Sequence, residues 1–193
     1  MNKLNSIEGQ EIIKFYRTDR DYGFLSSLYK KPIVFEEREF PTGEHAYQFG
    51  KFKDENTREW AMKAPKPHLL SILAHGLFSW DIVKNWSKIK VDRMYNVLKA
   101  KFSDIELRQK LLDTGNSLLI EDSKTDPFWG IGKTGKGKNM LGKLLMKVRE
   151  EIRKCVKCAF YNDLMEECEA YVEDPLNCIE FKIRETELQR GSE

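Results

Sequence analysis

The strongest constraint on the fold is an apolar pattern that begins at residue 141. Apolar residues recur there at intervals of four, three, four and three positions: Leu141, Leu145, Val148, Ile152 and Cys155. This spacing follows the period of an α-helix and predicts one long amphipathic helix that starts near Lys138 or Asn139. Because a helix with one apolar stripe must bury that stripe, we expect the core to form against it.

The other patterns predict shorter helices and a few strands. Runs of β-branched and aromatic residues predict strands within 11–17, 31–40 and 116–122, with a loop at 20–30. Spacing and capping residues predict helices at 43 to about 53, 57–64, 67–78, 91–102 and 105–115. Thr42 is expected to cap the first of these and Gly115 to close the last. The expected fold class is therefore α+β, a predominantly helical single domain with a small β-sheet.

We expect residues 1–150 to form this domain and 151–193 to continue the long helix into an irregular extension. Beyond about residue 158 the helical regularity is lost and the composition turns acidic. The four cysteines all lie in the extension: Cys155, Cys158, Cys168 and Cys178. No nearby histidine completes a familiar zinc site, so reduced thiols are preferred over a metal centre.

Composition argues against several classes of function. The chain has 33 Lys and Arg against 31 Asp and Glu, a net charge of +2, so no overall basic field suggests wrapping around nucleic acid. No run of residues approaches the roughly 20 apolar positions of a membrane span, and the first residues lack the apolar core of a signal peptide. We therefore expect a cytoplasmic protein with no membrane partner.

A segment rich in glycine and lysine leads into the long helix. Residues 126–148 read DPFWGIGKTGKGKNMLGKLLMKV, which nearly satisfies both GxGxxG and the Walker pattern. Both patterns need a buried strand immediately upstream, and the Walker pattern needs a hydroxyl where Gly137 stands, so a P-loop is rejected. The segment instead suggests an anion site made of lysines, glycine amides and unpaired N–H groups at the helix start. The alternative is a surface loop with solvated lysines.

Five separated segments, taken together, resemble one family. They are GFLSSLY (23–29), FPTGEHAYQFGKF (40–52), Trp86 with VDRMYNVLKAKF (91–102), LLDTGNSLLIED (111–122) and the glycine-rich segment with Arg149 (126–149). In this order they resemble the motifs of the NADAR or YbiA-like family, over roughly residues 12–150. Ser27, Ile131 and Lys133 depart from the residues that are common in the family, and these departures concern the choice of ligand more than the fold.

The resemblance implies a YbiA-like fold and an enzyme that hydrolyses N-glycosidic bonds. The implied substrates are ribosyl phosphates or ADP-ribosyl groups, such as a ribosylamino-pyrimidine intermediate of the riboflavin pathway or ADP-ribosylated guanine, including guanine within nucleic acid. No metal or cofactor is expected. The alternative is a module that binds ADP-ribose or a related ligand without turnover. The sequence predicts neither the leaving base nor the oligomeric state.

Breaking the C–N bond at the ribose anomeric carbon develops positive charge, so two acidic groups should converge there. One stabilises the charge or activates water, and the other assists the leaving base. Glu44 and Asp126 match the family motifs and are the predicted catalytic pair. The predicted substrate-binding residues are Trp129, Trp86, Lys51, Arg93, Gly23, Phe24, Ser26, Gly132, Gly135, Gly137 and Asn139.

Each of these assignments has a structural alternative. A glutamate in the first turn of a helix interacts favourably with the helix dipole, and an aspartate before proline can start a turn. Both tryptophans can be core residues, and Lys51 and Arg93 can be solvated helix charges. His45, which points about 100° away from Glu44 on a helix, is expected to be a structural hydrogen bonder. The decisive expectation is spatial: Glu44 and Trp129 should face one cleft.

Overall fold

The computed structural model describes residues 11–64, 69–70, 79–156, 161–162 and 167–168. The α-helices in these ranges are α1 (Gly43–Phe49), α2 (Glu55–Met62), α3 (Trp86–Lys101), α4 (Ile105–Asp113) and α5 (Met140–Val156). The strands are β1 (Ile12–Phe15), β2 (Ile33–Phe35), β3 (Arg38–Phe40), β4 (Leu118–Glu121), β5 (Tyr161–Asn162) and β6 (Glu167–Cys168). Short 3₁₀ turns lie at Gly23–Leu25 and Ser79–Asp81.

The predicted amphipathic helix is α5, and its apolar stripe is buried. Leu145 and Val148 are fully enclosed, and Ile152 is nearly so. This helix packs on α3, α4 and β4. Gly142 allows the close approach to β4, because a Cβ at this position would lie 2.1 Å from the carbonyl oxygen of Leu119. The core therefore forms against α5, as the periodicity predicts.

The strands form separate pairs rather than one sheet. β1 and β4 pair in parallel, with Ile12 opposite Leu118. β2 and β3 form an antiparallel hairpin whose turn residues, Glu36 and Glu37, have φ angles of 51° and 60°. β5 and β6 also pair antiparallel. The predicted strands within 11–17, 31–40 and 116–122 are confirmed, and so is the α+β class.

Helix α1 begins as predicted but ends earlier. The Thr42 hydroxyl accepts a hydrogen bond from the backbone N–H of His45, as expected for an N-cap. The pattern predicted about three turns reaching residue 53, whereas α1 has seven residues and ends at Phe49. The guanidinium of Arg93 lies against Gly50 and donates hydrogen bonds to the carbonyl groups of Ala46 and Tyr47. In a longer helix these two carbonyls would accept from the N–H groups of Gly50 and Lys51, so the arginine takes the place of a further turn.

The other helices follow the pattern with shifted ends. α3 starts at Trp86, five residues before the predicted start at Val91. α4 is capped by Asp104, whose carboxylate accepts from the N–H of Leu107, and closes at Gly115 with a φ of 55°. The predicted helix in 67–78 lies mostly outside the described residues, as do the side chains of the cysteines. Among the described residues, no helix is long and apolar enough to cross a membrane.

Candidate active site

Helix α1 carries a buried glutamate that is held on both oxygens. Glu44 is 7% exposed and lies in the first turn. Its Oε2 accepts a hydrogen bond from the Ser27 hydroxyl at 2.9 Å, and its Oε1 accepts from the Gln48 amide nitrogen at 2.8 Å. The N–H of Glu44 donates to the carbonyl of Ser27. Two donors fix the orientation of the carboxylate and stabilise its negative charge in a site with little water.

The Gln48 side chain binds Glu44 at the cost of a hydrogen bond to its own amide oxygen. Its amide nitrogen faces Glu44, and its oxygen is buried with no hydrogen-bond donor among the residues that the structure describes. An unsatisfied buried carbonyl costs about 1–3 kcal/mol. The orientation is therefore set by the charge of Glu44 and not by the needs of Gln48 itself.

A second carboxyl group, which the sequence reasoning missed, stands at the end of β4. Glu121 is half-buried, and its Oε2 is enclosed with no donor within hydrogen-bonding distance in the described part of the chain. Burial, and after it the negative charges of Asp126 and Glu44, raise the pKa of Glu121 to about 8. The available signal was its position in the strand, two residues after the buried Leu119 and thus on the same face.

Asp126 organises the turn that follows. Its Oδ1 accepts hydrogen bonds from the backbone N–H groups of Phe128 and Trp129, both at 2.8 Å. This is the turn-forming role that the sequence left open as an alternative. The carboxylate is half-buried, and its charge acts on both Glu121 and Tyr47. We call Glu44, Glu121 and Asp126 the carboxylate cluster.

Tyr47 connects α1 with Trp129. Its ring lies 5.6 Å from that of Trp129, edge to face, and 5.1 Å from that of Trp86. Burial and then the charge of Glu44 raise the pKa of Tyr47, while the Trp129 side chain, hydrogen-bonded to its hydroxyl, opposes the rise. Both tryptophans are partly buried and also pack against the core. The segments around Glu44 and Trp129 therefore meet at Tyr47, with the aromatic rings beside the carboxylate cluster.

A buried lysine lies close to Glu44. Lys51 is 6% exposed, and burial lowers its pKa, an effect that the charge of Glu44 opposes and the charge of Lys90 adds to. Lys90 in turn places its Nζ 3.5 Å from the centre of the Phe128 ring. Lys51 therefore places a cationic group near Glu44, with Lys90 as its neighbour.

The structure gives Arg93 and Asn139 partners other than the predicted phosphate. The guanidinium of Arg93 donates to the carbonyls of Ala46 and Tyr47 and forms a two-point ion pair with Glu36. The side chain of Asn139 accepts from the N–H of Glu121 and donates to the carbonyl of Leu119. Arg93 therefore fixes the end of α1, and Asn139 fixes the end of β4.

The start of α5 corrects the expected anion site. The N–H groups of Lys138, Asn139, Met140 and Leu141 donate to the carbonyls of Pro127, Gly130, Phe128 and Trp129. The expectation of unpaired N–H groups at this helix start is therefore wrong, because the preceding turn supplies their acceptors. Gly132 and Gly135 have φ angles of 64° and 72°, and a Cβ at Gly137 would lie 2.5 Å from the carbonyl oxygen of Gly130. In this structure the glycines therefore allow the backbone turns and close contacts of the loop.

The 23–26 loop directly precedes Ser27, whose hydroxyl binds Glu44. Gly23, Phe24 and Ser26 are all buried. The fully buried Lys101 donates to the carbonyls of Phe24 and Ser26, at 2.5 and 2.7 Å. Burial lowers the pKa of Lys101 to about 7. This anchoring sets the position of the next residue in the chain, which is the Ser27 that binds Glu44.

His45 has the structural role expected from its position. Its Nδ1 lies 2.8 Å from the Thr42 hydroxyl, and the side chain is 3% exposed. Burial lowers the pKa of His45. Within the described residues, no group of three or more His, Cys, Asp or Glu side chains has the arrangement of a metal site.

Comparison with solved structures identifies the fold. The NMR structure of the E. coli protein YbiA superposes with a TM-score of 0.67 and 40% sequence identity, covering 74% of this chain and 84% of that chain. Fold and site together define a YbiA-like α+β domain, as the sequence motifs implied. A model of the NADAR domain matches residues 14–153. The chain therefore belongs to the NADAR domain family, and the resemblance seen in the sequence is confirmed.

Relatives with assigned names point to the same chemistry. The N-glycosidase YbiA of Shigella flexneri is 38% identical over 151 residues, covering 78% of this chain and 94% of that protein. A riboflavin biosynthesis protein of Vibrio vulnificus is 35% identical over 145 residues, covering 75% of this chain but only 39% of that longer protein. The similarity thus spans nearly the whole of the first relative and one part of the second.

Proposed function

We propose that this protein is an N-glycosidase that hydrolyses the C–N bond between a ribose carbon and a nitrogenous base, in a substrate that also carries phosphate. The observation that carries the proposal is the buried Glu44 carboxylate, held by Ser27 and Gln48 beside two further carboxyl groups and Trp129. The name N-glycosidase of its full-length relatives supports the same reaction type.

Glu44 supplies the negative charge that the reaction needs. As the C–N bond breaks, the ribose ring takes on oxocarbenium character, and a fixed carboxylate stabilises that charge best where water is scarce. The same carboxylate accepts the proton of the attacking water. Its two hydrogen-bond donors keep it oriented before substrate arrives, so little reorganisation is needed during the reaction.

Trp129 and Lys51 are proposed to hold the two ends of the substrate. An indole face stacks on a planar base, and Trp129 is only partly covered by the core. Lys51 places a cation near Glu44, where the charge of a sugar phosphate would be attracted. Trp86 supports this wall through its contact with Tyr47. Arg93, Asn139 and the loop glycines contribute by fixing the backbone around the site.

The substrate we propose first is a ribosylamino-pyrimidine phosphate of the riboflavin pathway. The similarity to a protein named for riboflavin biosynthesis supports this choice, and the single buried lysine near Glu44, Lys51, suits one phosphate. ADP-ribosylated guanine, free or in nucleic acid, is the second member of the same substrate class. The exposed lysines of the glycine-rich loop, Lys133, Lys136 and Lys138, would lie on the side open to a longer polyanion.

The test is release of free base from a panel of substrates, followed by mass spectrometry. The panel contains a ribosylamino-pyrimidine phosphate, ADP-ribosylated guanosine and an ADP-ribosylated oligonucleotide. The wild-type protein should release base from at least one of them. Glu44→Gln should lower kcat by about 10²- to 10⁴-fold with little change in affinity, because only the charge at the reacting carbon is lost.

Glu39→Gln is the matched control, since Glu39 is an exposed glutamate on β3. It should leave the rate unchanged. Binding of ADP-ribose without release of base from any substrate would instead identify a binding module. Equal rates for the wild type and Glu44→Gln would remove Glu44 from the reaction.

A further inference from the structure

Glu121 is a further acidic group near Glu44 and Asp126. It ends β4, on the same face of the strand as the buried Leu119. Its backbone N–H is fixed by the Asn139 side chain, which bonds β4 on both sides of Ile120. Because α5 packs on β4 and Gly142 allows the close approach, this strand end has little freedom to move.

The surroundings of Glu121 favour a protonated carboxyl group. Its Oε2 is buried and has no donor among the described residues. The charged groups that act on it are two other carboxylates, Asp126 on the following turn and Glu44 on α1. A negative charge there would be buried, unpaired and repelled from both sides. A proton on Glu121 removes all three costs, and it gives the site a carboxylic acid at neutral pH.

Asp126 has a different structural role. Its Oδ1 accepts hydrogen bonds from the backbone N–H groups of Phe128 and Trp129, so this carboxylate holds the turn that presents Trp129. Among the described residues, the buried Oε2 of Glu121 has no such donor.

We propose that Glu121 is the acid that protonates the leaving base in the reaction proposed above, while Asp126 positions the turn that carries Trp129. The inference rests on the proposed N-glycosidase function and reassigns the second catalytic role from Asp126. As a whole residue Glu121 is half-buried, while its Oε2 is enclosed.

The bond between C1′ and the base nitrogen breaks, its electron pair stays on the nitrogen, and Glu121 transfers its proton to that nitrogen. Water adds to C1′ and gives a proton to the Glu44 carboxylate. The products are the free base and a sugar with a hydroxyl at C1′. Glu121 then regains a proton from solvent, and Glu44 releases one.

The experiment compares two leaving groups. A ribosylamino-pyrimidine phosphate needs a proton on its leaving amine, whereas 4-nitrophenyl riboside 5-phosphate releases a stable anion without one. Glu121→Gln should lower kcat on the first substrate by about 10²- to 10⁴-fold but by less than about tenfold on the second. Glu44→Gln should lower kcat on both, because the positive charge at C1′ develops with either leaving group.

The wild-type protein gives a second readout that needs no variant. Its kcat on the ribosylamino-pyrimidine phosphate should fall as the pH rises past about 8, where Glu121 loses its proton, and the fall should be absent with the nitrophenyl substrate.

Equal losses on both substrates in Glu121→Gln, or matching pH profiles for the wild type, would overturn the acid role while leaving the glycosidase function intact. Absence of base release by the wild type from every substrate would reject the function itself, and the role of Glu121 with it.

Discussion

The proton on Glu121 makes the stability of the fold depend on pH, and this can be measured without any substrate. The perturbation is Glu121→Gln, which keeps the shape of the side chain and removes its ability to ionise. In the wild type, burial together with the charges of Asp126 and Glu44 raises the pKa of Glu121 from 4.5 to about 8 in the folded state. The unfolded chain has the ordinary value.

The direction in which the free energy of unfolding changes with pH depends on whether the folded or the unfolded state holds the proton. Between about pH 4.5 and about pH 8 the folded protein keeps a proton that the unfolded chain releases, so the free energy of unfolding falls as the pH rises through this window. Above it both states are ionised and the contribution is constant. Since one pKa unit is worth about 1.4 kcal/mol, the loss across the window is at most about 5 kcal/mol. This is a large fraction of a typical domain's stability.

The assay is urea unfolding of the wild type and of Glu121→Gln at several pH values from about 5 to about 9. The two proteins should have similar stability near pH 5, and the variant should become the more stable one by about 3–5 kcal/mol near pH 9. Lys101 also titrates in this range, but it is present in both proteins and cancels in the difference. The same comparison with Glu39→Gln, an exposed strand glutamate, should show no such divergence.

Parallel stability curves would refute the reasoning. They would mean that the pKa of Glu121 in the folded protein equals the ordinary value of a glutamate, because partners neutralise its charge. A stability advantage of the wild type that grows as the pH rises would also contradict it, because that result would assign Glu121 a stabilising charge interaction.

Three further outcomes follow from the buried polar groups. Burial lowers the pKa of Lys101 from 10.5 to about 7, so wild-type stability should rise between these values, and urea unfolding of Lys101→Met should lack that rise. Arg93→Lys should lower stability by about 1–3 kcal/mol in thermal unfolding, because lysine cannot keep the two-point pair with Glu36 together with the carbonyl bonds. Ser27→Ala removes one donor to Glu44 and should lower kcat by about 10- to 100-fold in the base-release assay, with KM little changed.

The helices could be predicted from the sequence because their signals are local. The stripe of α5, the Thr42 cap of α1 and the glycine at the end of α4 each act within a few residues. The parallel pairing of β1 with β4 could not be predicted in this way. It joins Ile12 to Leu118, and no local pattern specifies a partner so far along the chain.

The same contrast between local and long-range signals applies to the candidate site. The sequence motifs indicated Glu44 and Trp129, and the structure brings their segments together at Tyr47. Glu121 escaped notice because a glutamate at the end of a strand is ordinary in a sequence. Its raised pKa arises only when the fold buries it and brings it near the carboxylates of Asp126 and Glu44. The anion site at the start of α5 was expected from glycines and lysines, but the backbone carbonyls that occupy its amides are not visible in composition.

Helix α1 shows how a motif residue that is predicted to bind substrate, Arg93, also supports the backbone around Glu44. It has only seven residues, yet it carries Glu44, Tyr47 and Gln48, all buried. So short a helix is marginal alone, and its last carbonyls need partners. Arg93 supplies them from α3, and its ion pair with Glu36 ties the β2–β3 hairpin to the same point. In the proposed reaction we therefore expect Arg93 to act through the position of Glu44, so that its loss should reduce kcat together with stability.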